Sequence, residues 1–169
     1  MKQSKKILIA NRGVIAIRAL RAARELGYSV ASVYSTIDRD QKHLKLSDEA
    51  ICIGPPETKD SYLNEAAIIS AAELSGADAI YPGFGFLAEN ASFAEKCRES
   101  GFKFIGPDPE VIAIMGDKIK AKELAKSLNI PVVPGYEGEI STENEAIKIV
   151  EEIGYPVIIK ASAGGGGRG

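Results

Sequence analysis

Short apolar runs alternate along this chain with stretches of helical period. KKILIA (5–10), SVASVYS (29–35), EAICIG (49–54), DAIYP (78–82) and FKFIG (102–106) read as strands. Several are apolar on both sides of the pleat, as strands covered on two faces must be. Between them, VIAIRALRAARELG places Ile15, Ala19, Ala22 and Leu26 on one helical face and stops at Gly27, a C-cap residue. NEAAIISAAELSG and NASFAEKCRESG stop in the same way at Gly76 and Gly101. Strand, helix and strand in repetition predict an α/β domain, a Rossmann-like parallel sheet with helices on both faces.

The rhythm changes after Gly106 and Pro107. A short helix (109–115) and the lysine-rich DKIKAKELAKSLN lead to the strand-like VVPGY. Thr142 and Glu145 form a capping box that opens a helix through Ile153, and a last strand, PVIIKA, delivers the chain into a glycine run. The expected organisation is a first domain over 1–114 and the incomplete start of a second over 115–169. The second segment holds too few elements for a self-sufficient core.

Composition adds boundaries rather than detail. With 169 residues, 45% hydrophobic and 26% charged, the chain has ordinary globular usage and enough apolar material to bury a core. A net charge of -2 gives no electrostatic footprint for nucleic acid or an anionic membrane, so neither is an expected partner. The apolar run after the N-terminal lysines is broken by Asn11 and Arg12, too early for a signal peptide. Cys52 and Cys97 lack metal-ligand spacing and are expected as buried thiols in a cytoplasmic, reducing compartment. His43, the single histidine, lies in RDQKHLKL and is expected at the surface or an interface, with no metal role.

Candidate chemistry collects at strand ends. Asn11-Arg12-Gly13 follows the first strand, where α/β proteins bind ligands, but without the G-x-G-x-x-G that brings a pyrophosphate onto the helix start. NAD binding is therefore excluded, and these residues are expected to form a tight turn with a polar cap. Pro82-Gly83-Phe84-Gly85-Phe86 ends another strand, its glycines expected to let the chain pack beneath its own phenylalanines. Five of the last six residues are glycine. Such a run is not a Walker A motif, because no Lys-Ser/Thr follows it, but its amides suit an anion nest, and Lys160 stands four residues before Gly164.

In order and spacing, IANRGVIAIRALRAARELG, DEAICIG, SYLN, YPGFGFLAENASFA, FIGP, MGDKIKAK and GYPVIIKASAGGGGRG resemble the biotin carboxylase family of ATP-grasp enzymes. The resemblance covers essentially the whole chain. It implies an enzyme, a component of acetyl-CoA, propionyl-CoA or pyruvate carboxylase, that uses ATP, magnesium and bicarbonate to carboxylate biotin on a carrier protein or domain through carboxyphosphate. A carboxyltransferase then uses the product. It also implies that Lys118 and Lys160 bind ATP and that Gly166 and Gly167 close over its phosphates. The family's acidic metal ligands, bicarbonate site and general base fall beyond residue 169, so this stretch alone is expected to be inactive, with no catalytic residue of its own. One position departs from the pattern, since Val14 stands where the family usually has glutamate.

Two other readings stay open beside this one. A carbamoyl phosphate synthetase-type ATP-grasp ligase shares the loop and lysines. A non-catalytic dimerisation module is suggested by Arg18, Arg21 and Glu25 on one polar helical face, which suits reciprocal ion pairs of Arg21 and Glu25 across a homodimer axis.

Overall fold

The computed structural model describes residues 5–133, 135–136 and 140–158. The chain divides into two compact units, Met1–Ile112 and Ala113–Gly169. In the first, the strands are β1 (Lys6–Ile9), β2 (Ser29–Ser35), β3 (Glu49–Gly54), β4 (Ala79–Tyr81) and β5 (Lys103–Phe104). They form one parallel sheet in the order β3-β2-β1-β4-β5. The helices of this unit are α1 (Gly13–Glu25), α2 (Lys42–Leu46), α3 (Glu65–Ser75) and α4 (Ala91–Glu99); α5 (Pro109–Gly116) spans the division.

The period of two along the strands builds two cores, one per face. Ile9 and Val30 join Ala16, Leu20 and Ala23 of α1 on one side. Leu8, Ala31, Val33 and Ile80 join Ile68, Ala71 and Ala72 of α3 and Phe93 and Cys97 of α4 on the other. Helices thus cover both faces, as the alternation predicts. The inward face of α1, however, is Ala16, Leu20 and Ala23, one residue on from the expected Ile15, Ala19, Ala22 and Leu26, and Leu26 is 74% exposed. Neighbouring residues are about 100° apart on a helix, so both sets satisfy the period. The small side chains of Ala16 and Ala23 are the ones against the sheet.

All three expected glycine stops close their helices. At Gly27 the Tyr28 amide donates to the Ala23 carbonyl and the Gly27 amide to that of Arg24, a Schellman pair that Gly76 and Gly101 repeat. Asn64 and Asn90 cap α3 and α4 through their side-chain oxygens. Among the described residues no helix is long and apolar enough to cross a membrane.

Two placements correct the sequence reading. Cys97 is buried, with burial pushing its thiol up to about 12, but Cys52 lies on the outer strand β3 and is exposed. An edge strand has a neighbour on one side only, which the apolar run around Cys52 does not reveal. His43 is not at the surface: it is 0% exposed within α2, its Nε2 3.4 Å from the Val33 carbonyl and its Nδ1 buried without a hydrogen-bond partner. Leu44 and Leu46, which follow it and are partly buried, turn this helix toward the core and carry the ring inward.

Burial holds the His43 pKa below its ordinary 6.5, against smaller opposing effects of the Val33 carbonyl and Asp38. The folded state therefore binds its proton less readily than the unfolded chain. Stability is full above about 6.5 and falls as pH drops below it. Urea unfolding at about pH 7.5 and about pH 5 is expected to show this loss, and His43→Leu to reduce it.

The second unit contains α6 (Lys118–Ser127) and α7 (Glu143–Ile153). Asp117 caps α6 by accepting from the Ile119 and Lys120 amides. Thr142 Oγ1 accepts the Glu145 amide as the capping box predicts, while Glu145 reaches back to the Ser141 amide, one residue before the cap. Of the described residues of this unit, only Ile149 is buried, and Val133, Tyr155 and Ile158 are exposed. The described residues of VVPGY and of PVIIKA form no strand, contrary to the sequence reading; the rest of PVIIKA lies outside the described residues. A strand is defined by a partner backbone, and no described residue pairs with either segment.

Candidate functional site

The sheet order reverses between β1 and β4. The chain runs outward from β1 to β2 and β3, then returns to β4 on the other side of β1 and continues to β5. Loops leaving the carboxyl ends of β1 and β4 consequently diverge, and the gap between them is where open α/β sheets hold ligands. Here that gap is a cleft of about 270 Å³ lined by Asn11, Arg12, Ile15, Phe84, Gly85 and Phe86.

Asn11 joins the two loops. Fully buried, it donates from Nδ2 to the carbonyls of Pro82 (2.7 Å) and Phe84 (3.0 Å), and its Oδ1 accepts the Arg12 amide. It is thus a brace between β1 and β4. The expected polar cap on α1 is absent, since neither Asn11 nor Arg12 caps that helix through its side chain. Gly83 explains the close approach: its φ is +73°, and a Cβ there would stand 2.7 Å from Ile15 Cγ2 and 2.8 Å from Asn11 Nδ2. Gly83 therefore packs against β1 and α1 rather than beneath the phenylalanines, as the sequence reading had it. Phe84 projects into solvent, 73% exposed, and Phe86 stacks on Tyr62 with centroids 4.9 Å apart.

Beneath the cleft lies a charged hub. Asp38, buried at the end of a 3-10 turn after β2, accepts at Oδ2 from Tyr62 Oη (2.8 Å), Ser35 Oγ (2.9 Å) and Arg12 Nη1 (3.2 Å). Burial pushes its carboxyl up, but the bonds from Tyr62, Ser35 and Arg12, with the arginine charge, together hold it below the usual carboxylate range. The Tyr62 phenol is driven up by burial first and by Asp38 second, and stays a donor. Over this pair lies Arg12, its guanidinium carbon 5.3 Å from the Tyr62 centroid and 5.6 Å from that of Phe86. Asp38, Tyr62 and Ser35 escaped the sequence reading. For Ser35 and Asp38 the signal is the mostly polar STIDRD at the end of an apolar strand, and Tyr62 is marked only as part of SYLN.

Of the residues singled out by sequence, Lys118 is the exposed first residue of α6. Lys160, Gly166 and Gly167 lie outside the described residues. Arg18, Arg21 and Glu25 share the outer face of α1, all exposed.

The family model for the biotin carboxylase N-terminal domain matches residues 3–112. This chain belongs to the biotin carboxylase family. A second model, the ATP binding domain of the carbamoyl-phosphate synthase L chain, matches residues 117–169. Biotin carboxylase 1 of Bacillus subtilis is 56% identical over 165 residues, which is 98% of this chain and 37% of that protein. Among solved structures, a biotin carboxylase–beta-gamma-ATP complex from Campylobacter jejuni is 52% identical with a TM-score of 0.93, over 98% of this chain and 37% of that one. The biotin carboxylase domain dimer of the Hydrogenobacter thermophilus 2-oxoglutarate carboxylase, solved with MgADP, ADP and bicarbonate, is 49% identical with a TM-score of 0.92, over 99% of this chain and 37% of that one. The chain thus spans a little over a third of the length of these biotin carboxylases.

Proposed function

We propose that this chain serves a biotin carboxylase that uses ATP and bicarbonate to carboxylate biotin borne on a carrier protein or domain, through carboxyphosphate, for a carboxyltransferase. The observation carrying the reading is the succession of matches, a biotin carboxylase N-terminal domain over 3–112 followed by an ATP binding domain over 117–169. The domain limits are assigned as 1–114 and 115–169. Lys118, at the start of α6, and Lys160 are assigned to the nucleotide, and Gly166 and Gly167 to the loop over its phosphates. Both solved relatives hold adenine nucleotides, and one also holds magnesium and bicarbonate, which supports the same ligands here.

Magnesium, when bound, screens the phosphate charge during phosphoryl transfer. Among the described residues, no three His, Cys, Asp or Glu side chains gather closely enough to hold a metal ion, and no step is assigned through the ion. The exposed outer face of α1, with Arg21 and Glu25, is assigned to a homodimer, in keeping with the dimeric relative. The free Cys52 and Cys97 support a reducing, cytoplasmic setting.

Lys160→Gln in the complete enzyme removes the charge and shortens the side chain by only one atom. A charged hydrogen bond is worth about 1.5–3 kcal/mol, so nucleotide affinity is expected to fall by about one to two decades. Calorimetric titration with ATP measures it, and unchanged affinity in a folded variant removes Lys160 from the site. Biotin-dependent, bicarbonate-dependent ADP release by the unsubstituted enzyme tests the activity. ATP cleavage that does not need a biotinyl acceptor overturns the proposed reaction.

A further inference from the structure

Three features meet at Arg12. Its Nη1 is 3.2 Å from Asp38 Oδ2, its guanidinium lies over both Tyr62 and Phe86, and these rings stack at 12°. Phe86, the residue so covered, has a φ of +45°, a left-handed backbone that a bulky non-glycine residue keeps only when its surroundings enforce it. The two residues before it, Phe84 and Gly85, line the cleft, and Asn11 grips the same loop at Pro82 and Phe84. The Arg12 side chain is itself 41% exposed, and a partly exposed ion pair adds little to global stability. Its placement therefore acts locally.

We propose that Arg12 is a positioning residue: anchored by Asp38 and laid over Tyr62 and Phe86, its guanidinium holds the 82–86 loop and so fixes the wall of the cleft between β1 and β4. A planar, multiply donating cation can lie against both rings and bond a carboxylate at once, which favours arginine over lysine. The structural part stands on the geometry; its kinetic consequence rests on the reading under Proposed function, with the cleft at the β1–β4 reversal taken as part of that enzyme's site.

The test is backbone 15N relaxation on the 169-residue chain. Order parameters at Phe84, Gly85 and Phe86 are expected near about 0.85 and to drop below about 0.6 in Arg12→Met, with Arg12→Lys between. Strand amides are expected to be unaffected. Unchanged loop order in Arg12→Met overturns the proposal. Should that variant not fold, Phe86→Leu keeps the Arg12–Asp38 pair and removes the ring, and unchanged loop order there overturns it equally. In the complete enzyme, Arg12→Met is expected to lower kcat by about ten- to a hundredfold with KM for ATP unchanged, since misplaced contact groups cost rate rather than remote binding. Arg12→Lys is expected to recover part of the loss. Full turnover in Arg12→Met overturns the positioning role. An unsubstituted enzyme without biotin-dependent ATP cleavage overturns instead the proposed function, leaving the relaxation result to decide the clamp.

Discussion

Replacing Asp38 with alanine is expected to destabilise the first unit by about 3–4 kcal/mol, through two buried donors that each cost about 1–3 kcal/mol when left unsatisfied. Tyr62 Oη and Ser35 Oγ both donate to Oδ2 of this carboxylate, and both residues are buried. Arg12 contributes less to the loss because its partly exposed guanidinium can turn to water. Asp38→Asn retains a side-chain oxygen and is expected to cost about half as much, since it loses the charge but keeps one acceptor. Urea unfolding followed by circular dichroism measures both. An alanine variant within about 1 kcal/mol of the parent shows that Tyr62 and Ser35 find other partners.

Gly83→Ala is expected to cost about 2–5 kcal/mol, the sum of a left-handed backbone penalty of about 1–2 and an overpacking penalty of about 1–3. At φ +73° the new methyl would meet Asn11 Nδ2 at 2.8 Å and Ile15 Cγ2 at 2.7 Å. Ile15 is half-buried and can yield, but Asn11 is held by the Pro82 and Phe84 carbonyls and the Arg12 amide. The strain therefore passes into the brace between β1 and β4. Gly85 makes the control: its φ is +66°, but nothing stands within 4 Å of an added Cβ. Gly85→Ala carries the backbone penalty alone, about 1–2 kcal/mol. Equal losses at the two positions mean that the Asn11 contact contributes nothing.

The repeating strands and helices of residues 5–112 were legible because each is encoded locally. Short apolar runs define β1 to β4, and Gly27, Gly76 and Gly101 end helices through backbone geometry set by a single residue. The Thr142–Glu145 cap is local for the same reason. Family membership was legible too, because IANRG, YPGFGF and MGDK keep their order along the chain, a property that needs no coordinates.

Tertiary structure decided whatever depends on residues far apart in sequence. Asn11 and Phe84 are 73 positions apart, and Asp38 and Tyr62 are 24 apart. Their meeting follows from a strand order that places β4 beside β1 and β3 beside β2, which the alternation of elements leaves unspecified. Single side-chain environments depend on that order as well. His43 sits in a mixed segment and Cys52 in an apolar run, yet the first is buried against the Val33 carbonyl and the second exposed on the sheet edge. Hydrophobic pattern states how often a chain turns a side chain inward; the neighbours it meets there are supplied by the rest of the fold. The sequence therefore determined the elements, their ends and the family, while the cleft, its Asn11 brace and its Asp38 hub exist only because the parallel sheet brings three separate loop ends together.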